Sequence, residues 1–237
     1  MSFNSLVIVS GATKGIGRAI AEKFASEGFD LVVCARSLDE LKQFKIDVEN
    51  KSKVNCHIFQ ADVSQKEQVM AFGQFILDLN QQIKVLVNNA GVFMPGKLLE
   101  ESNGNLETML DTNLYSAYYL SRSLLPVVIK SEHPAHVFNI CSIASLLAYP
   151  QSGSYSISKF AMLGFSKSLR EELKETKIKV TSVMPGATFT SSWAGVDIPE
   201  DHFMIPKDVA DIIWATFNLS PQAVVEELTL RPLKGDI

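Results

Sequence analysis

Near its amino terminus the sequence reads Leu6-Val7-Ile8-Val9-Ser10-Gly11-Ala12-Thr13-Lys14-Gly15-Ile16-Gly17. Four consecutive apolar residues predict a buried strand, and the spacing of Ile16, Ile20 and Phe24 predicts a helix from Gly15 to Glu27. Glycines between the two elements permit a tight turn in which a pyrophosphate can approach the backbone and the free N–H groups of the helix. The stretch therefore predicts a phosphate-binding turn that opens a βα unit.

The rest of the chain repeats this alternation of short apolar runs and longer amphipathic stretches. Apolar strands that are each followed by a helix predict an α/β fold, a Rossmann-like doubly wound parallel sheet of about seven strands with helices on both faces. Without a linker or an internal repeat, residues 1–237 are expected to form a single domain. Further strands are predicted at Leu31–Cys34, Val54–Phe59, Val85–Val87, Val137–Ile140, Val180–Met184 and Glu227–Arg231. Further helices are predicted at Leu38–Asn50, Leu106–Lys130, Ser152–Lys174 and Pro206–Asn218. One more helix is predicted to begin at Ser64, which would form a capping box with Glu67.

Composition excludes several classes of function. The net charge is −4 and no Lys/Arg-rich tract occurs, which argues against a nucleic-acid partner. The three cysteines form no C-x-x-C pair, and the histidine spacing suits no metal, so no metal site is expected. No apolar run approaches the roughly 20 residues of a membrane span, and no signal segment is evident, so we expect no membrane contact and a cytoplasmic location.

The end of the second strand indicates which dinucleotide would bind. NAD-binding sheets carry an acid there for the ribose hydroxyls, whereas this chain has Cys34-Ala35-Arg36-Ser37. The guanidinium of Arg36 suits a phosphate, and Lys14 in the glycine turn adds a second positive charge. The sequence therefore predicts NADP(H) as the cofactor.

A second constellation lies in the predicted helix Ser152–Lys174. Tyr155 and Lys159 are four residues apart and so share one helix face, with Ser142 thirteen residues upstream of Tyr155. A phenol beside an ammonium group is a candidate proton donor, because the positive charge favours the phenolate left behind.

Together these motifs resemble the short-chain dehydrogenases/reductases, in the single-domain branch, along nearly the whole chain. The resemblance rests on the G-x-x-x-G-x-G spacing, the Asp after the third strand, the N-N-A-G motif, the Asn, Ser, Tyr and Lys of the catalytic tetrad, and the P-G-x-x-x-T segment. It implies Asn113, Ser142, Tyr155 and Lys159 as catalytic residues. With the residues above, it implies cofactor contacts at Gly11, Thr13, Lys14, Gly15, Ile16, Gly17, Arg36, Asp62, Val63, Asn89, Ala90, Gly91, Tyr155, Lys159, Pro185, Gly186, Thr188 and Thr190.

The resemblance also implies a mechanism, NADPH-dependent reduction of a ketone or aldehyde to an alcohol. Tyr155 would donate a proton to the carbonyl oxygen, and Ser142 would hydrogen-bond the same oxygen. Lys159 would bind the nicotinamide ribose, and Asn113 would hold a water that links Lys159 to solvent. The alternative is a non-catalytic NADP(H)-binding module that senses redox state, although a sensor would not need the complete tetrad.

The substrate is less well specified. Family analogy assigns the pocket wall to Phe93, Leu146, Tyr149, Phe189 and Trp193, and a substrate loop to residues 188–206. Within that loop, the segment Ser191–Ile205 is either a mobile lid or a surface loop. Such a wall predicts an apolar or aromatic small-molecule carbonyl substrate or its alcohol. The chain is similar both to 3-oxoacyl-carrier-protein reductases and to sepiapterin or carbonyl reductases, and the sequence does not separate them.

The helix from Ser152 is apolar on more than one side, with Ile157 and Phe160 in addition to Met162 and Leu169. A helix that covers a sheet needs only one apolar face. The excess, together with the family resemblance, predicts a homodimer or homotetramer.

Overall fold

A computed structural model describes residues 5–193, 195 and 197–236. Its centre is one parallel sheet in the order β3-β2-β1-β4-β5-β6-β7. This order confirms the Rossmann-like doubly wound sheet predicted from the alternating strands and helices. The strands are β1 Leu6–Ser10, β2 Asp30–Ala35, β3 Cys56–Gln60, β4 Ile83–Asn88, β5 Ala135–Ile140, β6 Ile178–Pro185 and β7 Glu227–Leu230.

Helices cover both faces of the sheet because successive strand residues point in opposite directions. On β1, Val7 and Val9 pack in the core cluster with Phe24 of the first helix, whereas Leu6 and Ile8 pack in the other cluster with Phe72 of the third helix. The helices are α1 Gly15–Ser26, α2 Leu38–Ser52, α3 Lys66–Asp78, α4 Asn105–Leu110, α5 Ser116–Ser131, α6 Gly153–Leu173 and α7 Pro206–Phe217.

The predicted start of α3 is wrong in detail. The helix begins at Lys66 and is preceded by Gln65, not by a Ser64 capping box. Ser64 instead donates its hydroxyl and its backbone N–H to Oδ1 of Asp62, at 2.8 and 3.0 Å. The competing Asx-type turn at Asp62 satisfies Ser64 two residues before the helix, which a local S-x-x-E pattern does not reveal.

The predicted long helix Leu106–Lys130 is continuous but not regular. Between α4 and α5 lies a π-helical turn, Asp111–Tyr115, and Asn113 sits within it, 2% exposed. π-Turns insert an extra residue into an α-helix and occur frequently at functional sites. The turn points the Asn113 side chain at the neighbouring backbone of Val92.

The sheet order also locates the crevice. The chain runs outward from β1 to β2 and β3, then returns to place β4 on the other side of β1. Loops that leave the carboxyl ends of β1 and β4 diverge at this switch point, and open α/β sheets bind ligands there. The glycine turn after β1 and Asn88–Gly91 at the end of β4 therefore face one crevice.

Candidate active site

The glycine turn is held in a conformation that excludes larger residues. Gly11 and Gly15 have φ values of +67° and +55°. A Cβ added to Gly17 would lie 2.3 Å from both the Gly11 carbonyl oxygen and Asn89 Nδ2. The turn is thus packed backbone to backbone, and the beginning of α1 comes close to the crevice.

The amino terminus of α1 fits a phosphate. Lys14 is the N-cap of this helix, and its ammonium, which only donates, cannot accept from the N–H groups of the first turn. Those groups and the positive end of the helix dipole suit the oxygens of a pyrophosphate. This backbone cradle, which a Cβ would fill, fits the dinucleotide expected from the sequence.

Ser10 ties the glycine turn to the end of β4. Its hydroxyl accepts hydrogen bonds from the backbone N–H groups of Asn89 and Ala90, each at 3.0 Å. Asn89 Nδ2 donates in return to the carbonyls of Ser10 and Gly11, at 2.9 and 3.0 Å. Asn89 and Ala90 of the N-N-A-G motif therefore hold the glycine turn in place through these hydrogen bonds.

Lys159 lies at the base of the candidate catalytic cluster. Its ammonium nitrogen donates to the Ile140 carbonyl at 3.0 Å and lies 5.8 Å from the Tyr155 ring centroid, while the residue is only 5% exposed. Within the described ranges, Lys159 forms no ion pair with a carboxylate. An ammonium has three protons to donate, so two remain for polar groups of a ligand or for water.

Asn113 joins this cluster from the π-turn. Its Oδ1 accepts from the Val92 N–H at 2.7 Å, and its Nδ2 donates to the Val92 carbonyl and to Ser158 Oγ, at 3.0 and 2.9 Å. A Cβ added to Gly91 would lie 3.2 Å from Asn113 Oδ1 and 3.6 Å from Lys159 Nζ. A side chain at position 91 would therefore crowd both the Asn113 amide and the Lys159 ammonium.

Ser142 stands where the chain leaves β5, and it is buried. Its Oγ accepts from the Ala144 N–H at 3.1 Å and begins a short 3₁₀ turn, Ile143–Ser145. Ser145 Oγ accepts from the Ser142 N–H at 3.2 Å in return. Because Ser142 Oγ is fixed as an acceptor in this bond, its own O–H proton stays available for donation to a substrate oxygen.

Phe93 and Tyr155 form the start of an apolar wall. Their rings meet edge to face with centroids 4.9 Å apart, and Phe93 is 44% exposed. Leu146 is also exposed after β5. In the loop after β6, Phe189 and Trp193 both pack on Phe203, with centroids 5.7 and 5.1 Å apart. The predicted wall residues thus come from three separate loops, and the structure brings Phe93 against Tyr155.

Tyr149 has a polar environment instead. Its hydroxyl donates to Asp236 Oδ2 at 2.7 Å, and Arg231 contacts both residues. Burial, and then the bond to Asp236, raise the pKa of Tyr149. The carboxy-terminal segment thereby holds the loop after β5, and Lys234 of the same segment pairs with Asp201 in the loop after β6.

The P-G-x-x-x-T segment forms the base of that second loop. Gly186 N–H donates to the Leu230 carbonyl at 2.7 Å, and Thr188 Oγ1 donates to the Gly186 carbonyl at 3.0 Å. A Cβ added to Gly15 would lie 3.0 Å from Thr190 Cγ2, so Thr190 rests on the glycine turn. Pro185 ends β6. Two positions of the predicted loop 188–206, 194 and 196, lie outside the described residues.

The predicted adenosine end is marked by Arg36 and Lys14, both exposed. Lys14 Nζ pairs with Glu40 Oε1 at 2.7 Å, and Thr13 Oγ1 donates to Glu40 Oε2 at 3.1 Å. Ile16 packs on the core beneath the turn. Across β2, Val63 is partly buried, and Asp62 engages Ser64 as described above.

Sequence reasoning missed three polar partners of these residues, Ser10, Glu40 and Ser158. Glu40 follows Ser37 by three positions, and that pattern predicts only a helix cap. Ser158 lies one residue before Lys159, on a part of α6 where the sequence signals nothing beyond a helix. Ser10 could have been noticed as the one hydroxyl between the first strand and its glycines.

The described residues contain no group of three or more His, Cys, Asp or Glu side chains arranged to hold a metal ion. Within the same ranges, no helix has the length and apolarity needed to cross a bilayer.

Comparison with known proteins identifies the family of the chain. The family model described as short chain dehydrogenase matches residues 5–200. The chain belongs to the short-chain dehydrogenase family. Among family members, a sepiapterin reductase of Chlorobaculum tepidum is 31% identical over 240 residues, covering 98% of each chain.

Solved structures of other short-chain dehydrogenases share the fold. An alcohol dehydrogenase of the archaeon Thermococcus sibiricus, complexed with 5-hydroxy-NADP, superposes with a TM-score of 0.90 at 25% identity, covering 98% of this chain and 97% of the other. A metagenomic short-chain oxidoreductase in complex with NADP has a TM-score of 0.83 at 28% identity, with 96% of each chain covered.

Proposed function

We propose that this short-chain dehydrogenase is an NADP(H)-dependent oxidoreductase that reduces a ketone or aldehyde to an alcohol. The observation that carries the proposal is the buried ammonium of Lys159, one helical turn from Tyr155 and adjoining Asn113 in the crevice. A buried ammonium without a carboxylate partner is costly unless polar groups surround it, so the arrangement favours a polar ligand there.

The cofactor is NADP(H), since the metagenomic relative is in complex with NADP and the Thermococcus sibiricus enzyme with 5-hydroxy-NADP. The N–H groups of α1 would hold its pyrophosphate, and Arg36, Lys14 and Thr13 would hold its 2′-phosphate. Asp62 and Val63 would contact the adenine end, and Ala90, Gly91, Pro185, Gly186, Thr188 and Thr190 the nicotinamide end. When bound, the cofactor supplies the hydride.

Residues of the chain would bind, polarise and protonate the carbonyl oxygen of the substrate. Ser142 donates a hydrogen bond that orients and polarises the carbonyl, because its oxygen is already fixed by Ala144. Tyr155 donates the proton that completes the alcohol. Lys159 binds ribose hydroxyls with its remaining protons, and Asn113, itself fixed by Val92 and Ser158, holds the water that returns a proton toward Tyr155.

The pocket wall supports an apolar or aromatic substrate. Phe93 lies against Tyr155, and Leu146, Phe189 and Trp193 stand on the loops that follow β5 and β6. The name of the Chlorobaculum tepidum relative makes a pterin side-chain ketone the first candidate, with a 3-oxoacyl thioester as the second. Tyr149 would contribute its ring, since its hydroxyl is already bonded to Asp236.

The proposal includes the state of the protein in the cell. A single domain with three unpaired, buried thiols suits a reducing, cytoplasmic location. Ile157 and Phe160 leave an exposed apolar face on α6, which supports a homodimer or homotetramer.

The test is NADPH oxidation followed at 340 nm, with NADH in parallel. The panel contains a pterin side-chain ketone, a 3-oxoacyl thioester, an aromatic diketone and a simple aldehyde. Turnover of one member, faster with NADPH than with NADH, is expected. Tight NADPH binding with no turnover of any member would favour the redox-sensing alternative, and absence of NADPH binding would overturn the cofactor assignment.

A further inference from the structure

Glu40 lies in the first turn of α2, at the position that usually completes a capping box. Ser37 precedes α2, and its hydroxyl accepts from the Glu40 N–H at 3.3 Å. In a complete capping box, the carboxylate at this position would reach back to the Ser37 N–H. Here both carboxylate oxygens reach across to the glycine turn instead, Oε1 to Lys14 at 2.7 Å and Oε2 to Thr13 at 3.1 Å.

The two contacts use the donors proposed for the 2′-phosphate. A carboxylate and a phosphate monoester both present anionic oxygens that accept from hydroxyl and ammonium groups. The bond to Lys14 is the main cause that lowers the pKa of Glu40, with smaller contributions from Thr13 and from the charge of Arg36. Glu40 is therefore ionised at neutral pH and lies in the field of all three proposed phosphate ligands.

We propose that Glu40 is a specificity-determining residue that competes with the 2′-phosphate of NADP(H) for Lys14 and Thr13. In the free protein its carboxylate occupies these two donors, and the phosphate must displace it. The same carboxylate is the kind of acceptor that the free ribose hydroxyls of NAD(H) require. Glu40 thus favours NAD(H) and weakens NADP(H), and it reduces the preference that Lys14 and Arg36 would otherwise impose.

The inference rests on the proposed function only through cofactor binding, and not on the reaction or its substrate. Position 36 is basic, but Glu40 in the first turn of α2 brings a carboxylate to Lys14 and Thr13 of the glycine turn. The site then holds acceptors and donors together, which suits a protein that can bind both dinucleotides.

The test compares Glu40→Gln with Asp39→Asn. Both substitutions remove one negative charge from the first turn of α2, and Asp39 is exposed. Gln at position 40 keeps the backbone N–H that Ser37 caps, so α2 should be retained. Dissociation constants of NADPH and NADH are measured by fluorescence titration without substrate, at low and at high ionic strength, and thermal unfolding checks the fold.

In Glu40→Gln, NADPH should bind about fivefold more tightly and NADH somewhat more weakly, because an exposed ion pair of this size is released. The ratio of the two constants should therefore change by about tenfold, and less at high salt. Asp39→Asn should leave the ratio unchanged.

Three results would overturn the proposal. Weaker NADPH binding in Glu40→Gln would mean that the carboxylate orders Lys14 for the phosphate. Equal tightening of both dinucleotides, or an equal effect of Asp39→Asn, would mean a general charge effect. Glu40→Ala serves as a second variant if Gln disturbs folding. Since all readouts are binding constants, failure of the carbonyl panel would leave this test intact, whereas failure of the parent protein to bind NADPH would overturn the cofactor assignment itself.

Discussion

The ammonium of Lys159 donates a hydrogen bond to the backbone carbonyl of Ile140 across 3.0 Å. This bond joins α6, which carries Tyr155, to the end of β5, two residues before Ser142. Lys159 therefore fixes the helix that carries Tyr155 to the strand end that leads to Ser142. Lys159 would both bind the ribose of the cofactor and hold α6 against the end of β5.

Replacement of Lys159 by Met removes the ammonium group and keeps a side chain of similar length. Turnover should fall by at least about a hundredfold, and NADPH should bind more weakly, because the ammonium that positions both Tyr155 and the ribose is lost. Steady-state kinetics and NADPH titration measure the two effects. Lys167→Met is the matched control, since it lies on the same helix in an exposed pair with Glu227 and should change little. Normal turnover in Lys159→Met would contradict the proposed role.

Removal of the Tyr155 hydroxyl should abolish proton donation without disturbing the wall. Phe at this position keeps the ring that packs on Phe93 at 4.9 Å. Turnover should fall by about 10²–10⁴-fold, the usual contribution of a general acid. NADPH affinity should stay nearly unchanged. Tyr118→Phe, whose hydroxyl bonds only to the exposed Arg122 among described contacts, is the control. Full activity in Tyr155→Phe would rule out the mechanism.

Arg36→Asp should discriminate between the two dinucleotides. The substitution places a negative charge where the 2′-phosphate is expected, so NADPH affinity should drop by more than about tenfold and NADH affinity much less. The backbone carbonyl of Arg36, which accepts from Gln60 at 3.0 Å, is unchanged, so the local fold should persist. Binding constants for both dinucleotides measure the effect. Equal losses would show that Arg36 does not contact the 2′-phosphate.

The bond between Tyr149 and Asp236 predicts that the carboxy-terminal segment shapes the substrate pocket. Tyr149→Phe and Asp236→Asn should each raise the KM for the carbonyl substrate by about two- to fivefold with little change in kcat, because both release the loop after β5. The double variant should show little further rise over Asp236→Asn, since Asp236→Asn already removes the Tyr149 bond together with the ion pair to Arg231. Additive effects in the double variant would mean that the residues act independently.

The fold was predictable because its signals are local. The unbroken apolar runs at β1 and β2 are typical of parallel strands that are covered by helices on both faces of the sheet. Of the proposed tetrad, Tyr155 and Lys159 could be paired from their spacing on a helix, whereas Asn113 and Ser142 were implied by the family resemblance. Contacts across the chain were not visible. Glu40 meets Lys14 only once α2 folds back beside α1, and Tyr149 meets Asp236 across 87 positions of sequence. Ser64 shows the opposite failure, in which a local pattern lost to a nearer hydrogen-bond partner, Asp62.

His136 is a buried imidazole whose surroundings hold it neutral. Its Nε2 lies 2.7 Å from Thr181 Oγ1, and that hydroxyl donates to the Val225 carbonyl at 2.6 Å. Nε2 must therefore carry the proton, and Nδ1 is buried without a hydrogen-bond partner among the described residues. Burial, and then the charge of Lys179, lower the pKa of His136 to about 3.

The free energy of unfolding should therefore decrease in mild acid. The unfolded imidazole takes up a proton below its ordinary pKa of about 6.5, while the folded one does not, so stability is full above pH 6.5 and is lost as the pH falls toward 3. Between pH 7.5 and 5, the free energy of unfolding should drop by about 2 kcal/mol through this group. Urea unfolding at several pH values should show this slope in the parent protein and in His133→Gln, an exposed control, and a smaller slope in His136→Gln. An unchanged slope in His136→Gln would assign the acid sensitivity to other groups, of which His57, whose pKa burial also lowers, is the first candidate.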